Sequence, residues 1–270
     1  MSPCFFSRDG RPGESEEAYV DRLIAELEAT FISLGPESVA AVIVEPISGA
    51  SLGCVPAARG YLERLQEVVW HHGALVIFDE VMCGMGRSGM THAWQSLGAK
   101  QAPDLQTIGK GLGAGYQPIS AVLVGSKVHE TVEAAEGTRP FVSGHTYQGH
   151  AIGCAAALAT QKTIVKDGLL GNVQRMGKLL RSKLETLSPN IKEVRGLGLF
   201  LAVEFRTQGR SPAAGRVAAT CLQKGLAVYL ASSNVDAVMF APPFIICEEE
   251  LEEAVQIFIG SLEEVWSRVE

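Results

Sequence analysis

The chain contains 270 residues, of which 47% are hydrophobic and 20% are charged, a balance typical of globular rather than disordered proteins. Its formal net charge of −7 argues against a nucleic-acid-binding surface. The sequence has no apolar run of the roughly 18 residues that a membrane helix needs and no basic segment followed by an apolar core, so it predicts neither a membrane span nor a secretory signal.

The first third of the chain predicts alternating helices and strands. A helix is expected over 15–32, with Ser15 as its N-terminal cap and apolar residues at every fourth position. Segment 38–46 is almost continuously apolar and predicts a strand buried on both faces. Pro56 is placed in the first turn of the next helix, and 74–78 is the next buried strand. This order favours a parallel sheet with right-handed crossovers.

The rest of the chain changes character near Pro189. Two further strands, 105–109 and 119–125, flank a glycine-rich loop, and two helices follow at 151–164 and 170–187. Short strands then alternate with helices near 212–224 and 248–269. The sequence therefore predicts an α/β fold with a partial large domain over 1–165. An interdomain helix and a small C-terminal α+β domain follow over 166–270.

The six cysteines are scattered along the chain without any C-x-x-C pair, and four of them lie in apolar stretches. A cysteine in such surroundings usually behaves as a small hydrophobic residue. This pattern favours reduced thiols, no zinc site, and a cytoplasmic or other reducing compartment.

The stretch ALVIFDEVMCGMGRSG, residues 74–89, is open to three interpretations. A strand ending in Asp79 is similar to the acidic strand of a nucleotide hydrolase, but no G-x-x-x-x-G-K-[ST] loop accompanies it. Gly84, Gly86 and Gly89 spell G-x-G-x-x-G, yet no clear helix follows, which favours a glycine-rich turn over a dinucleotide site. In the third interpretation, Asp79 serves a different cofactor.

Lys110 lies between two predicted strands in the glycine-rich segment 107–120. Most lysines lie on solvated surfaces, but desolvation in an apolar loop would favour the neutral amine, which attacks a carbonyl. Glycines also allow a flat ring to come close. The spacing alone leaves a surface lysine and a Schiff-base lysine equally open.

Asp79 ends a predicted buried strand, where a carboxylate without a partner would be costly. A protonated pyridine nitrogen would be such a partner, and Asp79 would then keep pyridoxal phosphate (PLP) in its electron-withdrawing form. A structural aspartate that caps a loop is the alternative. Asp79 and Lys110 support each other, because PLP requires both an amine that forms an imine and an acidic partner for its ring.

In these motifs the sequence resembles the class III (ω-type) aminotransferases, which depend on PLP. The resemblance extends from about residue 16 through nearly all of the chain, in the family's order and spacing. It rests on six segments: VAAVIVEPISGA, LVIFDEVMCGMGRSG, PDLQTIGKGLGAGYQPISAVL, GHTYQGHAIGCAAA, VRGLGLFLAVEF and FAPPFII. It implies a fold type I transferase with a partial, parallel-dominated large-domain sheet and a smaller α+β domain.

The resemblance also implies a role for each matched residue. Lys110 would be the Schiff-base lysine and the proton shuttle, and Asp79 would pair with the pyridine nitrogen. Val81 would pack against one face of the ring, and Glu45 would line the site. Thr146 would reach the phosphate of the neighbouring subunit's cofactor, so the enzyme would be a homodimer acting on small amine and keto substrates.

A structural role is expected for the turn after Asp79, in which Arg87 would make an ion pair. The family's N-terminal part, with its Gly-Ser/Thr turn and its ring-stacking aromatic residue, has no counterpart before residue 16. The switching Glu–Arg pair of some members is replaced by Ala50 and Met239.

The sequence thus favours a PLP-dependent aminotransferase that moves an amino group from an amine or amino acid to a keto acid or aldehyde. It predicts that this chain is an incomplete form of that enzyme. Two alternatives stay open. One is a catalytically inactive truncated protein or partner subunit, and the other is a PLP-dependent aminomutase, racemase or decarboxylase of the same fold.

Overall fold

The computed structural model describes residues 1–135, 137, 141–187, 190–206 and 212–267. The helices are α1 Phe6–Asp9, α2 Glu16–Leu34, α3 Tyr61–His71, α4 Ala93–Ser96, α5 Ser126–Ala134, α6 Ala151–Lys166, α7 Leu169–Glu185, α8 Ala214–Gln223 and α9 Glu248–Ser267. The strands are β1 Ala41–Val44, β2 Ile47–Ser48, β3 Val55–Pro56, β4 Leu75–Asp79, β5 Leu105–Ile108, β6 Ala121–Val124, β7 Ile191–Leu197, β8 Phe200–Phe205, β9 Tyr229–Leu230 and β10 Ala237–Phe240.

The chain divides into two compact units. The first unit comprises 1–46, 57–85 and 97–163, and the second comprises 47–56, 86–96 and 164–270. Two short segments, 47–56 and 86–96, therefore belong to the second unit, although the sequence places them within the first domain. Among the described residues, no helix combines the length and the apolar character needed to cross a membrane.

A four-stranded sheet in the order β1-β4-β5-β6 forms the centre of the first unit. Strands β1, β4 and β5 are parallel, whereas β6 pairs antiparallel with β5. The predicted parallel-dominated sheet is confirmed by this topology. Because parallel neighbours end at the same edge, the residues that follow β1, β4 and β5 share one edge of the sheet.

Helix α2 begins where the sequence predicts it. The side-chain oxygen of Ser15 accepts a hydrogen bond from the backbone N–H of Ala18 at 3.2 Å, which satisfies one of the orphan donors of the first turn. The next helix begins at Tyr61, so the placement of Pro56 in a helix is wrong. Pro56 instead lies in β3 and pairs with Ile47, a two-residue ladder in which its missing N–H is tolerated.

Asp104 links helix α3 to the central sheet. Its Oδ2 accepts hydrogen bonds from the indole N–H of Trp70 at 2.7 Å and from the backbone N–H of Val76 at 2.8 Å. Its own carbonyl accepts the N–H of Gly125 at 2.8 Å, directly after β6. One residue thus fixes the start of β5 against α3, β4 and the end of β6.

The outer strands of this sheet expose apolar side chains. Ile43 in β1 is 60% exposed, and all four residues of β6 are exposed. The prediction that 38–46 is buried on both faces is therefore wrong for the described residues. These side chains are exposed because β1 and β6 are the edge strands of the four that pair here.

The second unit is built around an antiparallel sheet in the order β7-β8-β10-β9. All residues of β8 and β10 are buried, and they share a core with α7, α8 and α9. Buried Arg195 of β7 donates to the carbonyl oxygens of Gly53 at 2.7 Å and Leu52 at 2.8 Å, and it pairs with Glu204. This cation therefore ties segment 47–56 to the sheet.

Helix α7 passes close to the turn between β7 and β8. A Cβ atom added at Gly177 would overlap the carbonyl group of Gly198, whereas one added at Gly171 of the same helix would meet nothing within 4 Å. Gly177 therefore permits a close backbone approach that no side chain would allow.

We expect Gly177→Ala to lower the free energy of unfolding by about 1–3 kcal/mol, since the added carbon has no room. Gly171→Ala is the matched control and should leave stability unchanged or raise it by up to about 1 kcal/mol through helix propensity. Urea unfolding followed by circular dichroism measures both. Equal stability of the two variants would contradict the close approach.

Candidate active site

The candidate site lies at the carboxyl ends of two adjacent parallel strands of the first unit. Strand β4 ends at Asp79, and β5 ends two residues before Lys110. Asp79 is the register partner of Thr107. The fold therefore brings Asp79 and the loop of Lys110 to the same edge, as the pairing of these residues in the sequence predicts.

The half-buried carboxylate of Asp79 is held through one of its oxygens. Its Oδ1 accepts the backbone N–H of Val81 and the hydroxyl of Thr107, each at 3.0 Å. In the described part of the chain, no hydrogen bond is recorded for Oδ2. The expectation that Asp79 needs partners is met by donors within this unit, and Oδ2 stays available to a further donor.

Lys110 begins a short 3₁₀ turn, Lys110–Leu112, with a φ of 36°. A positive φ in a residue other than glycine is strained by roughly 1–3 kcal/mol and persists only where the surroundings enforce it. Its side chain is exposed. The spacing leaves a surface lysine and a desolvated lysine equally open, and in this chain by itself Lys110 is exposed.

The turn of Lys110 packs against the turn that follows Asp79. A Cβ atom added at Gly109 would lie 3.4 Å from Cγ1 of Val81, and one added at Gly111 would lie 3.2 Å from Cβ of Met85. The glycines on either side of the lysine thus allow the two turns to approach closely. Val81 and Lys110 therefore belong to two turns that are in close contact.

A side chain from α6 holds the lysine turn from the other direction. The amide nitrogen of Gln161 donates to the carbonyl oxygens of Gly111 at 3.2 Å and Leu112 at 3.0 Å. This contact could not be predicted from local sequence patterns, because Gln161 lies 50 residues from Gly111 in an alanine-rich helix. The two hydrogen bonds from Gln161 help to explain how the strained turn of Lys110 is kept in place.

The remaining predicted residues occupy different settings. Glu45 directly follows β1 at the same sheet edge and is half-buried. Thr146 lies in segment 141–150, in which every residue is exposed. Its predicted role requires a neighbouring subunit and stays a prediction.

The glycine-rich stretch after Asp79 forms a turn, as the sequence favours. In the second unit, Arg87 donates to the carbonyl oxygens of Leu199 at 3.1 Å and Pro242 at 2.6 Å, and its guanidinium carbon lies 4.5 Å from the centre of the Phe244 ring. The expected ion pair of Arg87 is therefore wrong, since backbone carbonyls and an aromatic face are its partners. Burial lowers the pKa of Arg87 to about 10.

Comparisons with known proteins point to one family. Residues 7–262 match the family model described as aminotransferase class-III. An uncharacterized aminotransferase of Schizosaccharomyces pombe is 39% identical over 272 residues, and the match covers 95% of this chain and 58% of that protein. Gamma aminobutyrate transaminase 1 of Solanum lycopersicum is 36% identical, with 96% of this chain and 51% of that protein covered.

Solved structures agree with these sequence matches. An omega transaminase of Pseudomonas jessenii, solved in complex with PMP, is 34% identical with a TM-score of 0.91, and the match covers 99% of this chain and 60% of that one. An omega-transferase of Vibrio fluvialis is 32% identical with a TM-score of 0.90, covering 99% and 64%. The chain thus spans less than two thirds of the proteins it matches.

We expect Gln161→Ala to loosen the lysine turn, because two carbonyl groups lose their side-chain donor. A net loss of about 1 kcal/mol corresponds to roughly fivefold faster hydrogen exchange at the backbone amides of Leu112 and Gly113. Lys162→Ala, an exposed neighbour on the same helix, is the control and should leave exchange unchanged. Equal exchange rates in the two variants would show that Gln161 does not hold the turn.

Proposed function

Because the chain belongs to the class III aminotransferase family, we propose that it is the C-terminal part of a PLP-dependent aminotransferase. The proposed reaction moves an amino group from an amine or amino acid to a keto acid or aldehyde. The single observation that carries the proposal is the convergence of Asp79 and Lys110 at the ends of two adjacent parallel strands.

The residues present fit this cofactor. Asp79 offers a carboxylate whose Oδ1 is fixed by two donors, an arrangement suited to presenting Oδ2 to a protonated ring nitrogen. Gly109 and Gly111 allow the lysine turn to lie close to the turn of Val81, which begins at the acid. PLP, when bound, withdraws electrons from the substrate carbon that bears the amino group.

Each residue contributes a separate part of the chemistry. Lys110 would provide the amine that holds the cofactor through its aldehyde carbon; once the substrate amine has displaced it, the freed amine would take a proton from the substrate carbon as a base and deliver it to the cofactor carbon as an acid. The negative charge of Asp79 favours a protonated ring nitrogen. Val81 would pack against one face of the ring, and Glu45 would line the site at the end of β1. The exposure of Lys110 is consistent with access for a small substrate.

A homodimer completes the proposal. Thr146 would reach the phosphate of the cofactor in the neighbouring subunit, and the exposure of the whole segment 141–150 supports a role outside its own chain. All six cysteines are thiols, which is consistent with a cytoplasmic or other reducing compartment. Names of the relatives include γ-aminobutyrate, diaminobutyrate and vanillin enzymes, so the proposal extends only to small amine and keto compounds.

Borohydride trapping tests the role of Lys110. The protein is incubated with PLP, reduced and digested, and the modified peptide is identified by mass spectrometry. We expect the modification on Lys110 in the original chain and its loss in Lys110→Arg, which keeps the charge but removes the reactive amine. Lys127→Arg, at an exposed position of α5, is the matched control and should retain the modification on Lys110.

Two results would overturn the proposed role. One is modification spread over surface lysines with no preference for Lys110. The other is an equal total amount of trapped PLP in Lys110→Arg and in the original chain. Transamination itself is tested by the appearance of a keto product from an amine donor, which also separates this reaction from that of an aminomutase, racemase or decarboxylase.

A further inference from the structure

Thr107 contacts the proposed acid but has no part in the chemistry described so far. It lies on β5, directly across from Asp79 on β4, and both side chains are half-buried. Its hydroxyl oxygen lies 3.0 Å from Oδ1 of Asp79, and since a carboxylate oxygen only accepts, Thr107 is the donor. The contact joins two strands that are separated by 28 positions in sequence.

The two donors of Asp79 differ in what they can fix. The N–H of Val81 belongs to the turn that Asp79 itself begins, so it follows the local backbone. The hydroxyl of Thr107 comes from the neighbouring strand, whose register is set by the ladder that includes Phe78 and Gln106. Rotation about the final bond of an aspartate is otherwise broad. A second donor from a separate strand therefore restricts the carboxylate plane.

The type of residue at position 107 suits this task. Along β5, Gln106 and Ile108 are buried while Leu105 and Thr107 are half-buried, so Thr107 lies on the opposite face from its two neighbours. A β-branched side chain has few χ1 rotamers, which limits the directions in which its hydroxyl can point. Valine has the same branching without a donor, and serine has the donor without the branching.

We propose that Thr107 is a positioning residue that fixes Oδ1 of Asp79 and thereby directs Oδ2 to the ring nitrogen of the cofactor. This inference rests on the proposed function. Thr107 does not touch the ring, and it acts only through Asp79. Its removal therefore affects how well the acid is aligned, while the amine of Lys110 is left intact.

The first experiment compares PLP affinity and the absorbance of bound PLP across pH in the original chain, Thr107→Val and Thr107→Ser. We expect Thr107→Val to weaken PLP binding about tenfold, which corresponds to about 1.4 kcal/mol. It should also shift the pH at which the absorbance of the bound cofactor changes. Thr107→Ser should restore both properties to within about threefold of the original. Thr131→Val removes a hydroxyl bonded to Lys127 on α5 and is the control.

The second experiment repeats Thr107→Val in an Asp79→Asn background. A residue that acts through the carboxylate should then have less than about a twofold effect on affinity, because coupled residues are not additive. A purely structural role would give the same loss in both backgrounds. Circular dichroism confirms folding, and Thr107→Ala replaces Thr107→Val if valine disturbs the sheet.

The outcomes separate this inference from the proposed function. Borohydride trapping on Lys110 should persist in Thr107→Val, because the lysine is unchanged. If trapping succeeds but Thr107→Val binds PLP with unchanged affinity and an unchanged pH profile, the positioning role is overturned. If the original chain shows no trapping on Lys110, the proposed function fails and the role of Thr107 fails with it.

Discussion

The register between β4 and β5 is the constraint on which the candidate site depends. It sets Asp79 opposite Thr107 and brings the residues after both strands to one edge of the sheet. A slip of one residue would turn Thr107 to the other face and remove its hydrogen bond to the acid. Asp104 anchors the start of β5 to α3 and to β4, so a contact outside the site also maintains this register.

Local patterns were enough to predict the elements that carry the site. The apolar run before Asp79, the cap at Ser15 and the strands on either side of Lys110 depend on neighbouring residues, and all are found in the structure. The resemblance then supplied the family. The fold could be predicted to this extent because helix periods and strand runs are properties of short segments.

Contacts between distant segments could not be predicted in the same way. Thr107 and Gln161 become relevant only when strand register and helix packing place them beside Asp79 and the lysine turn. Pro56 failed as a helix signal because tertiary pairing placed it in β3. Arg87 was expected to find an acid, but its surroundings in the fold offer carbonyl oxygens and an aromatic ring.

The exposure of β6 has a consequence for the lysine. Strand β6 is joined to Lys110 by a loop whose close packing is seen at Gly113, where an added Cβ would lie 2.7 Å from a side-chain carbon of Ile119. A polypeptide that bound β6 only when this loop has its present conformation would stabilise the loop, and with it the strained turn of Lys110, by mass action. Binding of the polypeptide to β6 and formation of the Lys110 turn would then be thermodynamically coupled, so that each promotes the other.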